Sequence, residues 1–145
     1  MRRMSACTSA ALLLLLAAGC GDGSDIEVSG AWGRPVPAVA ANGAFYMVIS
    51  NNADTSDQLE RVSSAACGAA ELHESMMTDG VMSMSPVGAG GIEIRAGSEV
   101  VLEAGGLHVM CIDKQVDFVV GETYELTLEF AEAGSVVVDV EIREG

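Results

Sequence analysis

Apolar and polar residues alternate along most of the chain beyond residue 25, in short runs separated by turn residues. A period of two, bounded by Gly, Asn, Asp and Ser, is typical of half-buried strands. Runs of this kind occupy residues 26–32, 44–50, 59–63, 70–75, 81–87, 92–94, 100–103, 107–112, 124–130 and 136–142. Of these ten runs, some only three or four residues long, we expect about eight or nine to be strands, and strands at this regular spacing predict an all-β sandwich or barrel in a single domain.

Two of the intervening segments have a specific turn chemistry. Residues 34–42 contain Pro35 and Pro37, which cannot serve a central ladder, and are predicted to be a loop. Residues 78–80 read Thr-Asp-Gly and predict a hairpin between the runs at 70–75 and 81–87. Met76 and Met77 lie between the first of these runs and the turn, so they are predicted to be loop residues.

The N-terminus has the features of an export signal. Arg2 and Arg3 precede an apolar stretch at 10–18 that is too short to span a membrane. The stretch ends in Leu-Ala-Ala-Gly-Cys at 16–20, which resembles the lipobox of bacterial lipoproteins, although Ala17 stands where Leu is usual. The resemblance implies a signal peptide at 1–19, a lipidated Cys20 and a short tether to residue 25. Plain secretion, with Cys20 an incidental thiol, remains the alternative.

The charge balance narrows the classes of partner. The formal net charge is −14, and removal of Arg2 and Arg3 with the signal would lower it by two, to −16. Such a surface argues against nucleic acid and against anionic lipid faces as partners. An acidic surface most often serves solubility, and the alternative is that it forms a docking face for a basic partner.

The two histidines of the chain both lie near methionines at strand spacing. His108 and Met110 are two residues apart, so they share one face of a strand with Cα atoms ~6.5–7 Å apart. Imidazole and thioether form a soft donor set that suits Cu(I), and both survive in an oxidising compartment, where thiolates are lost to disulfides. The pattern therefore predicts a Cu(I) site. Its predicted ligands are His73, Met84, His108 and Met110, with Met82 and Met76 as auxiliary candidates.

Several features argue against an enzyme. Two histidines that both bind metal leave no base for a serine nucleophile, and no Gly-X-Ser-X-Gly motif is present. A zinc enzyme would use more histidine or carboxylate and less methionine.

A single methionine is more often a core residue than a metal ligand, and we expect Met47 to pack in the core.

The cysteines add a second prediction. Cys7 lies within the signal, and if Cys20 is lipidated, only Cys67 and Cys111 remain. In an oxidising compartment such a pair is read first as a disulfide. Two buried free thiols are the main alternative. Cys111 as a copper ligand is a third, which strand alternation opposes because Cys111 faces away from His108 and Met110.

The His/Met pattern is similar to that of the periplasmic copper chaperones of the PCuAC family. The family motif is a histidine, ten residues, a methionine, about twenty-one residues and then His-X-Met. His73 and Met84 are separated by ten residues, and Met84 and His108 by 23, with the extra residues assigned to the glycine-rich turn at 88–91. Further matching segments are AWGRP (31–35), NGAFY (42–46), ELH (71–73), GIEI (91–94), GGLHVM (105–110) and LTLEF (126–130).

This resemblance implies a cupredoxin-like Greek-key β-sandwich over residues 26–145 that binds one Cu(I) ion near its surface. It also implies copper delivery to the CuA centre during respiratory oxidase assembly. The expected partner is the CuA subunit or a Sco-type thiol protein. We expect a monomer, exported and lipid-anchored on the extracytoplasmic, periplasmic face of a bacterial membrane. A secondary Cu(II) site involving the N-terminal region stays open.

Two other functions compete with the chaperone. A blue-copper electron carrier has a similar fold but needs a thiolate beside two imidazoles and a weak methionine. The candidate thiolate, Cys111, is predicted to lie on the wrong face for this. A copper-independent scaffold or adhesion lipoprotein would show no metal-dependent behaviour and no loss on replacement of His108.

Overall fold

The computed structural model describes residues 25–145, which form ten β-strands and, within this range, no helix. The strands are β1 (Ile26–Gly33), β2 (Gly43–Asn51), β3 (Asp57–Ser63), β4 (Cys67–Thr78), β5 (Val81–Pro86), β6 (Ile92–Ile94), β7 (Glu99–Leu102), β8 (Leu107–Lys114), β9 (Thr123–Phe130) and β10 (Gly134–Ile142). Each alternating run in the sequence is a strand, so the all-β prediction is confirmed, with ten strands where about eight or nine were expected. The predicted signal peptide, Cys20 and most of the tether lie outside the described residues.

The strands form one mixed sheet whose two ends are β5 and β6. Its order is β5-β4-β8-β2-β1-β10-β9-β3-β6, and β7 pairs with β2 off this path. Among the strands of residues 25–145, β1 and β10 form the one parallel pair. Apolar residues from strands across the sheet are buried in one cluster, including Phe45, Ile49, Leu59, Leu126 and Val140. A single core of this kind is what defines a single domain.

Strand β4, which carries His73, lies between β8 and β5 in the sheet. It pairs with β8 from Cys67↔Lys114 to Glu74↔Leu107. On its other side it pairs with β5 from His73↔Pro86 to Thr78↔Val81. The β4–β5 hairpin therefore extends past the end of the β8 ladder, and His73 belongs to both ladders. Within the described residues, no helix is long and apolar enough to cross a membrane.

The hairpin turn corrects one prediction from the sequence. Asp79 and Gly80 both have positive φ, 52° and 79°, as a two-residue turn between antiparallel strands requires. The turn begins only after Thr78, so the ladder continues through the residues that were expected to form a loop. Met76 and Met77 are strand residues, opposite Ser83 and Met82 respectively.

A disulfide joins the two strands that carry the histidines. Cys67 at the start of β4 is bonded to Cys111 on β8, with their Cα atoms 5.3 Å apart. Both residues are buried in the core cluster. The bridge therefore ties β4 to β8 from the core side, beneath the opposite face on which the histidines lie.

Candidate metal site

His73 and His108 form a directly opposed pair in the β4–β8 ladder. Opposed residues of antiparallel strands point to the same face, with Cβ atoms ~4.5–5.5 Å apart. The two ring centroids are 6.0 Å apart and the rings are tilted by 52°. The sheet thus brings the two histidines of the chain together on one face.

Each imidazole has one nitrogen held by a neighbour. Nδ1 of His108 lies 3.0 Å from the carbonyl oxygen of Gly106, and a carbonyl only accepts, so Nδ1 carries the proton. Nε2 of His73 lies 2.9 Å from a carboxylate oxygen of Glu71, so there Nε2 is the donor. These contacts fix the tautomer of each neutral ring in the way that outer partners of metal-bound histidines do.

The other nitrogen of each ring is left with a free lone pair. Nδ1 of His73 and Nε2 of His108 are buried and have no hydrogen-bond partner among the described residues. A buried polar atom without a partner costs about 1–3 kcal/mol, so such atoms in a native structure call for an explanation. Two adjacent imidazole acceptors on one face suit a metal ion, because neutral imidazole is its commonest nitrogen ligand.

The methionines predicted as ligands lie on the same face. Met84 on β5 is opposite Ser75, which is two residues beyond His73 on β4. Met110 is two residues beyond His108 on β8. Since residues two apart share a face, Met84 and Met110 flank the histidine pair on the side to which both rings point.

A cavity of about 360 Å³ connects these side chains. Its lining includes His108, Met110, Met84 and Met82, with Tyr46 on β2 beside them. Arg34 and Val36, from the proline-containing loop, also line it. His73 is not part of the lining and adjoins the cavity through its partner His108. The structure therefore gathers three of the four predicted ligands and Met82 around one space, with His73 next to it.

Exposure changes sharply across the site. His108 is 3% exposed, whereas Met82 and Met84 on the edge strand are 52% and 51% exposed. The His108 imidazole therefore lies at the buried base of the site, and the β5 thioethers lie at its solvent-accessible edge. An ion held here could be approached from the hairpin side without opening the core.

Met76 does not belong to this group. It is opposite Ser83, and its neighbours two residues away are Glu74 and Thr78, on the other face of the hairpin from Met77, Met82 and Met84. Because residues 76–78 are strand rather than loop, the register separates Met76, predicted as an auxiliary ligand, from the other predicted ligands, and we leave it out of the proposed set.

The structure also places residues at the site that the sequence reasoning did not single out. Tyr46 packs against His108 with ring centroids 6.5 Å apart, and Trp32 packs against Tyr46 at 4.9 Å. Glu71, two residues before His73 on the same strand face, holds its ring. Glu71 could have been identified from the sequence, because it lies two residues before His73 and so shares its strand face. Tyr46 and Trp32 could not, because their approach to His108 depends on the pairing of β2 with β8.

Other kinds of metal centre find less support in the geometry. Within residues 25–145, no three His, Cys, Asp or Glu side chains cluster in a way that could hold a metal ion. Cys111 is fully buried, disulfide-bonded and opposite Ala70 on the core face. The thiolate that a blue-copper centre needs is therefore absent from the histidine face, as strand alternation predicted.

Comparison with known families and proteins supplies a context for this site. Residues 26–142 match the family described as "Putative lipoprotein LpqE-like". An uncharacterized protein, RP573, from Rickettsia prowazekii is 29% identical over 114 residues, which are 77% of this chain and 62% of that protein. The chain thus matches less than two thirds of the length of that relative.

Solved structures to which this chain is similar include PCuAC domains. The apo PCuAC domain of PmoF1 has a TM-score of 0.69 and 28% identity, over 83% of this chain and 95% of that one. The copper-bound PCuAC domain of PmoF2 has a TM-score of 0.68 and 26% identity, over 83% and 94%. Cu(I)-bound DR1885 from Deinococcus radiodurans has a TM-score of 0.61 and 25% identity, over 80% and 76%. The expected cupredoxin-like fold is confirmed.

Proposed function

The chain belongs to the LpqE-like family, and from this premise we propose that it is an extracytoplasmic copper chaperone that binds one Cu(I) ion and passes it to another protein without catalysing a reaction. One observation carries the proposal: two opposed imidazoles each have one nitrogen held by a neighbour and one buried nitrogen without a partner among the described residues, beside a cavity lined with thioethers. The likeness to the copper-bound PCuAC domain of PmoF2 and to Cu(I)-bound DR1885 supports the same proposal.

The proposed ligands are His73, His108, Met84 and Met110. Met84 is preferred to Met82 because it lies two residues nearer the histidines along β5. Thioethers bind Cu(I) much better than Cu(II), so this set favours the reduced ion. The two imidazoles, which are much less exposed than Met84, hold the ion, while the half-exposed Met84 is the donor that a partner's ligand could replace first.

The proposed acceptor is a thiol-bearing copper protein, either the CuA subunit of a respiratory oxidase or a Sco-type protein. This step rests on the resemblance to the PCuAC family. The chemistry is consistent with it, because thiolates bind Cu(I) more tightly than thioethers and would draw the ion from this site. We propose that the chaperone acts as a monomer.

We propose that the protein is exported and anchored to the membrane through Cys20. The LpqE-like lipoprotein family supports this, together with the lipobox-like residues 16–20. Replacement of Cys20 by Ser is expected to move the protein from the membrane fraction to the soluble extracytoplasmic fraction, measured by fractionation and immunoblotting. An unchanged membrane fraction would remove Cys20 as the anchor.

A pair of methionines on the hairpin provides a matched test of the ligand set. Met84 and Met76 are 51% and 49% exposed and lie on the same hairpin, but on opposite faces. Met84→Leu is expected to weaken Cu(I) binding by about tenfold or more, because it removes one thioether donor while keeping the apolar volume. Met76→Leu is expected to bind like the wild type. Competition with a chromophoric Cu(I) chelator measures both.

Equal affinity for the two variants and the wild type would exclude Met84 from the site. If His73 and His108 were then also dispensable, a copper-independent scaffold lipoprotein would become the better account. Weakening by Met76→Leu alone would show that copper binds on the opposite face.

A further inference from the structure

The outer end of the β4–β5 hairpin carries two methionines that the proposed site does not require. Met77 and Met82 are directly opposite each other in the ladder. Beyond Glu74, β4 has no ladder partner in β8, so this part of the hairpin projects from the body of the sheet. Met77 is 62% exposed and Met82 is 52% exposed, whereas Met47 in the core is 2% exposed.

The register places both side chains on the face that leads to the histidines. Opposed residues share a face, with Cβ atoms ~4.5–5.5 Å apart, so both thioethers can reach one ion. Met84 is two residues beyond Met82 on the same face, and Met82 and Met84 line the cavity together with His108. The thioethers thus form a continuous path from the exposed Met77 to the buried imidazole.

We propose that Met77 and Met82 form an outer thioether site for a soft monovalent ion, and that Cu(I) is loaded into the His/Met site through it. The loading role rests on the proposed function, whereas the outer site itself does not. Two thioethers without an imidazole or thiolate bind such an ion weakly, which suits a site that must release it inward.

The opposite face of the hairpin supplies an internal control. Met76 is 49% exposed and only one residue farther from the turn than Met77, but Ser83 lies opposite it, so it has no thioether partner across the ladder. A hairpin whose exposed methionines served only as an apolar surface would make no distinction between Met76 and Met77. A metal site requires Met77 and not Met76.

Silver(I) provides an air-stable probe of soft sites, and methionine methyl groups report on it individually. We would titrate the full mature protein, labelled with ¹³C at the methionine methyls, with Ag(I). Beyond the first equivalent, the methyl resonances of Met77 and Met82 are expected to shift while that of Met76 stays in place. In Met77→Leu this second event is lost, and in Met76→Leu it is kept. No shift of Met77, or equal shifts of Met76 and Met77, would overturn the outer site.

Loading kinetics test the second half of the proposal. Cu(I) delivered from a weak chromophoric chelator is expected to transfer several-fold more slowly to Met77→Leu than to the wild type or Met76→Leu, with unchanged affinity at equilibrium. Equal transfer rates would overturn the loading role. Failure of the first Ag(I) or Cu(I) equivalent to bind, with the Met77 shift retained, would overturn the proposed function and the loading role while supporting the outer site.

Discussion

Replacing His108 by alanine is expected to weaken Cu(I) binding by about a hundredfold or more, because this removes one of only two nitrogen donors. His108 is 3% exposed, and its Nε2 is buried without a partner among the described residues. Its Nδ1 donates a hydrogen bond to the Gly106 carbonyl, so Nε2 is the ring nitrogen left to bind a metal ion. Anaerobic competition titration measures the loss.

A volume-matched variant separates ligand loss from unfolding. His108→Phe keeps an aromatic ring beside Tyr46 but supplies no lone pair, so it is expected to lose copper affinity to a similar extent while retaining the far-UV circular dichroism of the sheet. Wild-type affinity in either variant would remove His108 from the site. Loss of the sheet signal in both would leave His73→Ala as the decisive variant, since the His73 side chain is more exposed, at 12%.

Removing the disulfide is expected to lower stability greatly without changing copper stoichiometry. Cys67 and Cys111 are 44 residues apart in sequence. In the chain-entropy model a loop of this length stabilises the folded state by roughly 4 kcal/mol. The Cys67→Ala, Cys111→Ala double variant should therefore melt at a midpoint lower by roughly 10–20 °C. Its copper stoichiometry should stay at one, because Cys111 points into the core.

Reduction of the wild type provides the control for this variant. The reduced protein should show a similar fall in melting temperature, since it loses the same cross-link without any change in side-chain packing volume. A melting temperature within a few degrees of the wild type would show that the bridge constrains little. Loss of stoichiometric copper from a variant that remains folded would mean that the core face of β8 contributes to the site.

The strands and the within-strand spacing were predictable from the sequence. His108 and Met110 had to share a face because they are two residues apart on an alternating run, and Cys111 had to oppose them. The pairing of His73 with His108 was not predictable in this way. Their strands are separated by β5, β6 and β7, and the register depends on core contacts such as Leu72 opposite Val109.

The hairpin shows why the end of a strand can be misplaced. Alternation of apolar and polar residues predicts a strand only where one face of the strand is buried and the other is exposed to solvent. Residues 76–78 lie on a projecting ribbon, where Met76 and Met77 are both about half exposed or more, at 49% and 62%, so no alternating pattern marks them. The left-handed φ of Asp79 and Gly80 decides where β4 ends, and the sequence indicated that turn without indicating that the ladder reached it.

The proton positions of the imidazoles also required the structure. They follow from the Gly106 carbonyl near His108 and from Glu71 beside His73, and these contacts depend on backbone geometry. They turn two histidines that share a face into two directed, unpartnered acceptors. These two nitrogen atoms are the observation on which the proposed copper site rests.

The most direct test of the account is an anaerobic Cu(I) titration of residues 21–145 against a competing chromophoric chelator, beside the Met84→Leu, His108→Ala double variant. One tightly bound equivalent is expected in the wild type, and the double variant is expected to lose it. No binding above background in the wild type would contradict this expectation, and the histidine pair and its methionines would then be packing residues of a copper-independent lipoprotein.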